Sequence, residues 1–347
     1  MIRICETLCN EGYKVSLIGV QFSNSPKLVD KKFIQHRIKC FFKKGFGFYA
    51  EYNVKLFFTL LFKKADLFCA IDLDTIMPVF FAGKLKNKAL VYDAHEYFSQ
   101  QKEIITRPKV YKIWHFIENA FVAKFKNGYT VCFSISKVFE ELYKIKYEVI
   151  TNATSIKTLS RKSPKNEKLI LYQGAVNEAR GLEYLIPAMK NVDGMLHIYG
   201  NGNFMNQLKT IIRNHCLEDK VVIKGKVSPD ELDEITSKYY IGLNLVENIG
   251  LNQYYSLANK FFDYMHAGIP QVSMNFPEYQ RINDQFEIAV LIDNLDQNEI
   301  SKAINTLLTD EEKYSTLVQN CAEAKLVYNW ESESKKLIQF YKNIFEQ

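Results

Sequence analysis

The sequence predicts an α/β protein made of two doubly wound domains, each a parallel sheet covered by helices, which face each other across a cleft. Short β-branched and aromatic runs alternate with helical patterns along most of the chain. This alternation breaks once and then restarts, as expected for two domains joined in tandem. The length of 347 residues suits two domains, and the apolar fraction of 47% supplies side chains for two cores.

The first predicted domain, residues 1–153, begins unusually. Gly12 is the expected C-cap of an opening helix, whereas a doubly wound domain normally starts with a central strand. We therefore expect that the first strand is missing or that the sheet is smaller than usual. The expected helices are Ile2–Glu11, Tyr49–Lys64, Thr75–Leu85 and Lys109–Phe125. The expected strands are Tyr13–Val20, Asp66–Ile71, Ala89–Asp93 and Tyr129–Ile135.

A linker is predicted at Thr154–Lys168, which is rich in Lys, Ser and Thr and contains Pro164. The second predicted domain covers residues 169–327, and residues 328–347 are expected to form a helix that packs back on the first domain. Its expected strands are Leu169–Gln173, Met195–Tyr199, Val221–Ile223, Ile241–Val246 and Pro270–Met274. Its expected helices are Gly181–Met189, Phe204–Cys216, Pro229–Ser237 and Leu257–Ala267, with three more from Asp296 onward.

Composition excludes several classes of protein. Charged residues make up 24% of the chain and Gly is 15, so disordered and collagen-like chains are excluded. The longest apolar stretch, near Leu56–Phe62, is far shorter than a membrane span, and Met1 is not followed by a secretory signal. The seven cysteines form no C-x-x-C pair and the six histidines have no ligand spacing, which predicts a cytoplasmic protein with reduced thiols and no bound metal.

Positive charge is concentrated between Lys31 and Lys64. This segment holds nine Lys and Arg, ten Phe and Tyr, and a single acid, Glu51. Such a composition is typical of a surface that docks on anionic lipid headgroups, here on the inner face of a membrane. The alternative is a helix with a solvated basic face and a buried aromatic one. A nucleic-acid partner is not expected, because no DNA- or RNA-binding motif accompanies the charge.

The predicted helix Leu257–Ala267 carries the strongest local signal for an anion site. Ser256 is its expected N-cap, which would leave the next backbone N–H groups pointing outward. Lys260 adds a cation in the first turn, where it opposes the helix dipole and therefore favours an anionic partner. Asp263, one turn later, can accept hydrogen bonds from sugar hydroxyls. The polar face comprises Ser256, Asn259, Lys260, Asp263 and His266. The alternative is a solvated polar face.

Two further turns follow predicted strands. Gly174 permits close backbone approach after the strand Leu169–Gln173, and Arg180 precedes the next helix, where a guanidinium suits a pyrophosphate. Gly200, Asn201 and Gly202 follow the strand Met195–Tyr199. The chain contains neither a G-x-G-x-x-G fingerprint nor a P-loop.

The predicted first domain offers His95 and Glu96 after the strand Ala89–Asp93. Such groups can handle protons or sugar hydroxyls, although a lone histidine at a strand end is more often structural. Asp72 and Asp74 follow another strand end and carry the same ambiguity, and Glu118 is expected to be structural.

In this order, these segments resemble a glycosyltransferase of the two-Rossmann (GT-B) type, near glycosyltransferase family 4, over nearly the whole chain. The clearest match is residues 256–270, S-L-A-N-K-F-F-D-Y-M-H-A-G-I-P, which is similar to the donor-site run E-A-M-A-x-G-x-P. The other matching segments are Val91–Glu96, Ile150–Ala153, Gly174 with Arg180 and Gly181, Tyr199–Gly202 and Tyr328–Trp330.

The resemblance implies a retaining transfer from a nucleotide-sugar, UDP- or GDP-linked, without a bound metal or other cofactor. It implies that Asp263 holds the donor ribose and that Arg180 and Lys260 neutralise the diphosphate. The backbone amides of Ser256 and Leu257 would lie beside the diphosphate, and His95 would lie near the transferred sugar or the acceptor. The implied donor-binding residues are Gly174, Gly181, Gly200, Asn201, Gly202, Ser256, Leu257, Asn259 and Asp263.

The chain departs from the family pattern at three places. Tyr255 stands where the family has the first of two acidic residues, with Glu247 upstream as a substitute if the loop Asn248–Tyr255 folds back. Ala175 replaces the usual basic residue after Gly174. The family's first strand and its glycine loop are missing before Met1.

The leading hypothesis is a glycosyltransferase that builds a surface glycan or glycolipid, with a glycan or lipid-linked acceptor. Two alternatives are a non-catalytic partner that binds the nucleotide-sugar and a GT-B nucleotide-sugar epimerase.

Overall fold

The computed structural model describes residues 1–156 and 168–346. The chain divides into two compact units. The first comprises Met1–Thr151 together with Glu333–Gln347, and the second comprises Asn152–Ser332. Most of the predicted linker Thr154–Lys168 lies outside the described residues, because they exclude 157–167.

The first unit contains two parallel sheets. Strands β1 and β2 form one sheet, and β3, β4, β5 and β6 form the other in that order. Among the described residues, no central strand joins these two sheets into one. The bounds are β1 Ser16–Gln21, β2 Ile34–Lys39, β3 Leu67–Ile71, β4 Ala89–Ala94, β5 Asn127–Thr130 and β6 Glu148–Val149.

Helices cover these sheets. The four that were expected before residue 126 form with small shifts at their ends, whereas Lys102–Ile105 and Phe133–Tyr143 were not expected. The C-terminal helix α15, Trp330–Glu346, contributes Tyr341 to the core beside Tyr129. The other helices of the unit are α1 Ile2–Asn10, α2 Gly45–Phe62, α3 Ile76–Leu85, α4 Lys102–Ile105, α5 Pro108–Phe121 and α6 Phe133–Tyr143.

One local prediction in this unit is wrong, and one strand was missed. The expected strand Tyr129–Ile135 ends at Thr130, and Phe133 begins helix α6. Ile135, Ser136 and Phe139 are the buried residues of that helix, a helical spacing hidden within an aromatic and β-branched run. Strand β2 was not predicted, because four of its six residues are polar or charged and only Ile38 is buried.

The second unit is a single parallel sheet with the strand order β12-β11-β10-β7-β8-β9. Read from the other edge, this is the 3-2-1-4-5-6 order of a Rossmann fold, in which the strand order reverses between the parallel neighbours β7 and β10. The bounds are β7 Leu169–Gln173, β8 Met195–Tyr199, β9 Val221–Gly225, β10 Ile241–Asn244, β11 Gln271–Met274 and β12 Ala289–Ile292.

Helices lie between these strands, and their ends follow local capping rules. Ser228 and Glu231 form a reciprocal capping box ahead of α9, and Asp296 and Asp310 cap α13 and α14. The helices are α7 Leu182–Ala188, α8 Met205–Asn214, α9 Pro229–Thr236, α10 Leu251–Tyr254, α11 Asn259–Ala267, α12 Pro277–Gln285, α13 Gln297–Thr309 and α14 Glu311–Val327. Strand β12 and helix α12 were not singled out from the sequence.

Helix α11 is fixed to the sheet through Tyr264, which is fully buried. Its hydroxyl accepts a hydrogen bond from the backbone N–H of Gln173 at 3.2 Å and lies 3.3 Å from the carbonyls of Leu171 and Leu243. The tyrosine ring lies against Gly242 on β10, where an added Cβ would stand 2.4 Å from the ring. A side chain at this position would push α11 away from β7 and β10.

We therefore expect Gly242→Ala to lower the free energy of unfolding by about 2 kcal/mol, because the extra methyl overpacks a buried ring. Thermal unfolding followed by circular dichroism measures the loss as a fall in Tm. Gly19→Ala is the matched control, since an added Cβ at Gly19 meets no atom within 4 Å. Equal Tm values for the two variants would contradict the prediction.

Candidate functional site

A cavity of about 570 Å³ opens at the carboxyl ends of β7, β8 and β9. This is the edge of a doubly wound sheet where ligands bind, and the volume is within the range of small-molecule sites. The lining residues are Gly174, Ala175, Tyr199, Gly200, Asn201, Gly202, Lys226, Val227 and Leu232. Four of the predicted donor-binding residues, Gly174, Gly200, Asn201 and Gly202, are therefore brought together here.

The glycines let the turns after β7 and β8 cross in close contact. An added Cβ on Gly200 would stand 1.8 Å from the carbonyl oxygen of Gly174, and one on Gly202 would stand 2.2 Å from that of Val176. Backbone hydrogen bonds join the same turns: Gly174 N–H donates to Tyr199 O at 3.0 Å, and Val176 N–H donates to Asn201 O at 3.1 Å. The cavity floor is thus built from backbone that no larger residue could replace.

Lys260 lies beside this cavity. Its Nζ is 4.3 Å from the centre of the Tyr172 ring, and the Tyr172 hydroxyl donates to the carbonyl of Ala175, a lining residue, at 2.8 Å. Burial and then the positive charge of Arg180 lower the pKa of Lys260 to about 7. Among the residues that the structure describes, neither Lys260 nor Arg180 forms an ion pair with a carboxylate.

Arg180 stands in the turn before α7. Its neighbour Ala179 has a φ of 63°, and the Ala179 carbonyl accepts the backbone N–H of Glu247 at 3.1 Å. The turn after β7 and the loop after β10 therefore meet next to Arg180. Gly181 is buried as the N-cap of α7, where an added Cβ would stand 2.9 Å from Leu245 Cβ, and it does not line the cavity.

The start of helix α11 differs from the prediction. The helix begins at Asn259 with Ala258 as N-cap, so Ser256 is not its N-cap. Ser256 instead follows the short helix α10, and its backbone N–H donates to Gln253 O at 3.1 Å, so that amide is not available to a ligand. The Tyr279 hydroxyl accepts the N–H of Ala258 at 3.1 Å and holds this stretch extended.

The N–H groups that remain at this end belong to Leu257, Asn259 and Lys260. Within the described ranges they have no hydrogen-bond acceptor, because the first bond of the turn runs from Phe261 N–H to Ala258 O. The expected row of free amides is therefore interrupted, because the Ala258 N–H between them donates to the Tyr279 hydroxyl. The Asn259 side chain is occupied, since its Oδ1 accepts from Asn152 Nδ2 at 3.0 Å.

Asp263 lies in a second, much smaller recess of about 10 Å³ with Thr154, Thr236 and His266. Its carboxylate accepts from Thr154 Oγ1 at 2.7 Å and from Gln173 Nε2 at 3.1 Å. Asp263 is not among the described residues that line the larger cavity. Gln173, at the end of β7, is a site residue that the sequence analysis missed, although its place at a strand end was a usable signal.

His95 belongs to the first unit. Its Nε2 is 3.2 Å from Oδ2 of the buried Asp93, and the same Oδ2 accepts a hydrogen bond from the Tyr129 hydroxyl at 2.9 Å. The backbone N–H of His95 donates to Asp72 Oδ1 at 2.9 Å. Burial lowers the pKa of His95, but the hydrogen bond and the charge of Asp93, with Asp72, outweigh burial and raise it overall. The expected role of His95 at the transferred sugar or the acceptor stays a prediction.

In residues 1–156 and 168–346 no three His, Cys, Asp or Glu side chains are grouped so as to hold a metal ion. No helix within those ranges combines the length and the apolar content that crossing a bilayer requires.

The fold is shared with solved structures of low sequence identity. Sucrose-phosphate synthase from Thermosynechococcus elongatus matches with a TM-score of 0.82 and 16% identity, covering 99% of this chain and 92% of its own. A glycosyltransferase from Rickettsia africae matches with 0.77 and 14%, covering 100% and 94%. Anabaena HepE in complex with UDP matches with 0.71 and 14%, covering 90% and 87%. These similarities define a GT-B fold with two Rossmann-like domains.

One segment, just under half of the chain, matches a known family. Residues 156–324 match the family described as glycosyl transferases group 1, so the chain carries a group 1 glycosyl transferase domain and is a glycosyltransferase. The family 4-like resemblance and the enzyme class predicted from the sequence are thereby confirmed. No curated protein sequence matches the chain.

The unusual pKa of Lys260 can be measured directly. In a protein whose lysines carry ¹³C-methyl groups, we expect one NMR resonance to titrate near pH 7 and to be absent from Lys260→Arg. Arg180→Gln should move that titration upward, because a neighbouring positive charge is removed. Lys209→Arg, at an exposed position of α8, should remove an ordinary resonance instead. A Lys260 resonance that titrates above pH 10 would contradict the assignment.

Proposed function

We propose that the protein transfers a sugar from a UDP- or GDP-linked donor to a glycan or lipid-linked acceptor, with retention of anomeric configuration and without a metal ion. We further propose that the product belongs to a surface polysaccharide or glycolipid. The observation that carries the proposal is the pairing of a nucleoside-sized cavity with two cations that have no carboxylate partner among the described residues.

The cavity suits the nucleoside. Tyr199, Val227 and Leu232 supply apolar and aromatic surface for a base, and the backbone of Gly200 and Gly202 allows close approach. A relative with this fold has been solved with UDP, which supports a nucleoside diphosphate as the ligand class. In this arrangement the diphosphate extends from the cavity past Ala175 toward Lys260.

The charges suit the diphosphate. Arg180 lowers the pKa of Lys260, which means that the two cations repel each other in the free protein. An anion bound between them relieves this repulsion and adds charge-assisted hydrogen bonds. The unpaired N–H groups at the start of α11 add donors and a partial positive charge from the helix dipole.

This arrangement lowers the barrier at the leaving group. As the glycosidic bond to the donor breaks, negative charge grows on the nucleoside diphosphate, and preorganised cations stabilise that charge more than they stabilise the intact donor. Because Arg180 and Lys260 supply the positive charge, no metal ion is required in the proposed mechanism. Asp263 remains the proposed ribose ligand, and His95 the proposed group near the transferred sugar or acceptor.

We also propose a cytoplasmic location on one observation. In the part of the chain that the structure describes, none of the seven cysteines is in a disulfide, and three of them, Cys5, Cys132 and Cys321, are buried. Such thiols persist in the reducing conditions of the cytoplasm.

The decisive experiment incubates the protein with a panel of UDP- and GDP-sugars and with glycan and lipid-linked acceptors. Mass spectrometry detects released nucleoside diphosphate and glycosylated product, and NMR reads the anomeric configuration. Product that requires an acceptor, at a rate unchanged by a chelator, is expected. A new nucleotide-sugar formed from donor alone would indicate an epimerase, and nucleotide binding without any turnover would indicate a non-catalytic partner.

For the donor-binding cations, we expect Arg180→Ala and Lys260→Ala each to reduce release of nucleoside diphosphate by about 10²-fold, because each removes a charge that acts on the leaving group. The measurement is the initial rate at saturating acceptor. Lys209→Ala is the matched control, since Lys209 is an exposed lysine that lines neither recess. Full activity in both site variants would reject the assignment.

A further inference from the structure

We infer that the exposed face of helix α2, with the loop that precedes it, docks on an anionic membrane surface. Two features define this docking face. The first is an apolar ridge along α2, made of Phe46, Ala50, Val54, Phe58 and Phe62, and the second is an aromatic tip, Phe41 and Phe42. The inference concerns the first unit and is independent of the donor site.

The apolar ridge is not needed to build the fold. Tyr52, Leu56 and Leu60 are the buried residues of α2 and pack it onto the unit. The ridge residues recur at intervals of four and face solvent instead: Phe46 is 76% exposed, Val54 57%, Phe58 54% and Phe62 86%. A helix that is apolar on its solvent side as well as its buried side has a further apolar partner.

The aromatic tip is held in place rather than loose. The Glu51 carboxylate accepts the backbone N–H groups of both Phe41 and Phe42 at 2.9 Å and the Lys55 ammonium at 2.6 Å. Lys55 also donates to the Lys39 carbonyl at 2.9 Å. These bonds fix the turn while Phe41 stays 84% exposed. An ordered, exposed aromatic side chain enters a bilayer interface with little further loss of freedom.

The Phe42 ring packs next to Phe41, with ring centroids 5.4 Å apart, and covers Gly47 in the first turn of α2. An added Cβ at Gly47 would stand 3.1 Å from that ring. Tip and ridge therefore form one continuous apolar surface at the N-terminal end of α2.

Charge selects the partner. Lys43 and Lys44 flank the ridge at one end and Lys63 and Lys64 at the other, while Glu51, the only acid between Lys31 and Lys64, is already bound to the tip and to Lys55. An apolar strip between two pairs of lysines matches the boundary between acyl chains and anionic headgroups. The alternative prediction of a buried aromatic face is wrong for the five phenylalanines of the docking face, which are all exposed: Phe41, Phe42, Phe46, Phe58 and Phe62.

A second copy of the chain is a poorer occupant. Two α2 helices packed by a twofold axis would bring lysine pairs of like charge against each other, with no free acid on the segment to offset them. An anionic bilayer supplies the opposite charge to both ends of the ridge at once.

The test uses the full chain and sedimentable vesicles that contain no sugar acceptor, so binding does not depend on catalysis. Vesicles of phosphatidylcholine alone are compared with vesicles in which a third of the lipid is phosphatidylglycerol. We expect binding only to the anionic vesicles, weakened by added salt because the lysine contribution is screened. Equal binding to both vesicles, or no binding to either, would overturn the inference.

Variants separate the two features of the docking face. Phe46→Ser with Phe62→Ser should reduce vesicle binding by about tenfold or more, since it removes two inserted rings. Lys43→Gln with Lys44→Gln should reduce it by about thirtyfold, since each lysine near an anionic surface contributes about 1 kcal/mol. The matched controls, Leu326→Ser on α14 and Lys209→Gln with Lys238→Gln, also change exposed residues and should bind as the parent does.

Circular dichroism confirms that each variant is folded, and sedimentation velocity tests the competing occupant. A dimer that is lost in Phe46→Ser with Phe62→Ser would assign the ridge to a second copy and overturn the membrane inference. So would parent-like binding in both sets of docking-face variants.

Discussion

The packing of helix α11 against the end of strand β7 organises the second unit. Three residues on one face of the helix, at i, i+3 and i+4, meet this strand: Lys260 lies over the Tyr172 ring, Asp263 accepts from Gln173 Nε2, and the Tyr264 hydroxyl accepts from the Gln173 backbone N–H. Because Gly242 lacks a side chain, the helix sits close enough to β10 for all three contacts to form. The Lys260 ammonium and the Asp263 carboxylate are thereby held at the end of β7, next to the point where the strand order of the sheet reverses.

This arrangement carries an electrostatic cost that a ligand can remove. Arg180 and Lys260 lie near each other without a carboxylate partner among the described residues, and the pKa of Lys260 falls to about 7 as a result of burial and of that neighbour. A lysine with a lowered pKa beside a preformed cavity is typical of a binding site rather than of a structural network, where opposite charges pair. Asp263 differs from the two cations, because its carboxylate already accepts two hydrogen bonds from side chains of the protein.

The first unit places its unusual surface on a helix whose packing is already complete. Tyr52, Leu56 and Leu60 bury one side of α2, so the phenylalanines on the other side add nothing to the core. The Glu51 carboxylate is hydrogen-bonded to the backbone of the aromatic tip. It is the only acid in a segment with nine Lys and Arg, so the segment is strongly basic. The same short stretch therefore combines exposed apolar surface, order and positive charge, the three properties that an interfacial helix requires.

Local sequence determined the fold class and most element positions, because apolar periodicity and turn residues report directly on local structure. It also identified Gly174, Gly200, Asn201 and Gly202, which line one cavity, and it singled out Lys260 and Arg180. Only the tertiary structure decided that Ser256 uses its amide within the chain, that Gln173 joins Asp263, and that the phenylalanines of α2 face outward. Hydrogen-bond partners and burial depend on residues far apart in the chain, and a pattern of neighbouring residues does not contain that information.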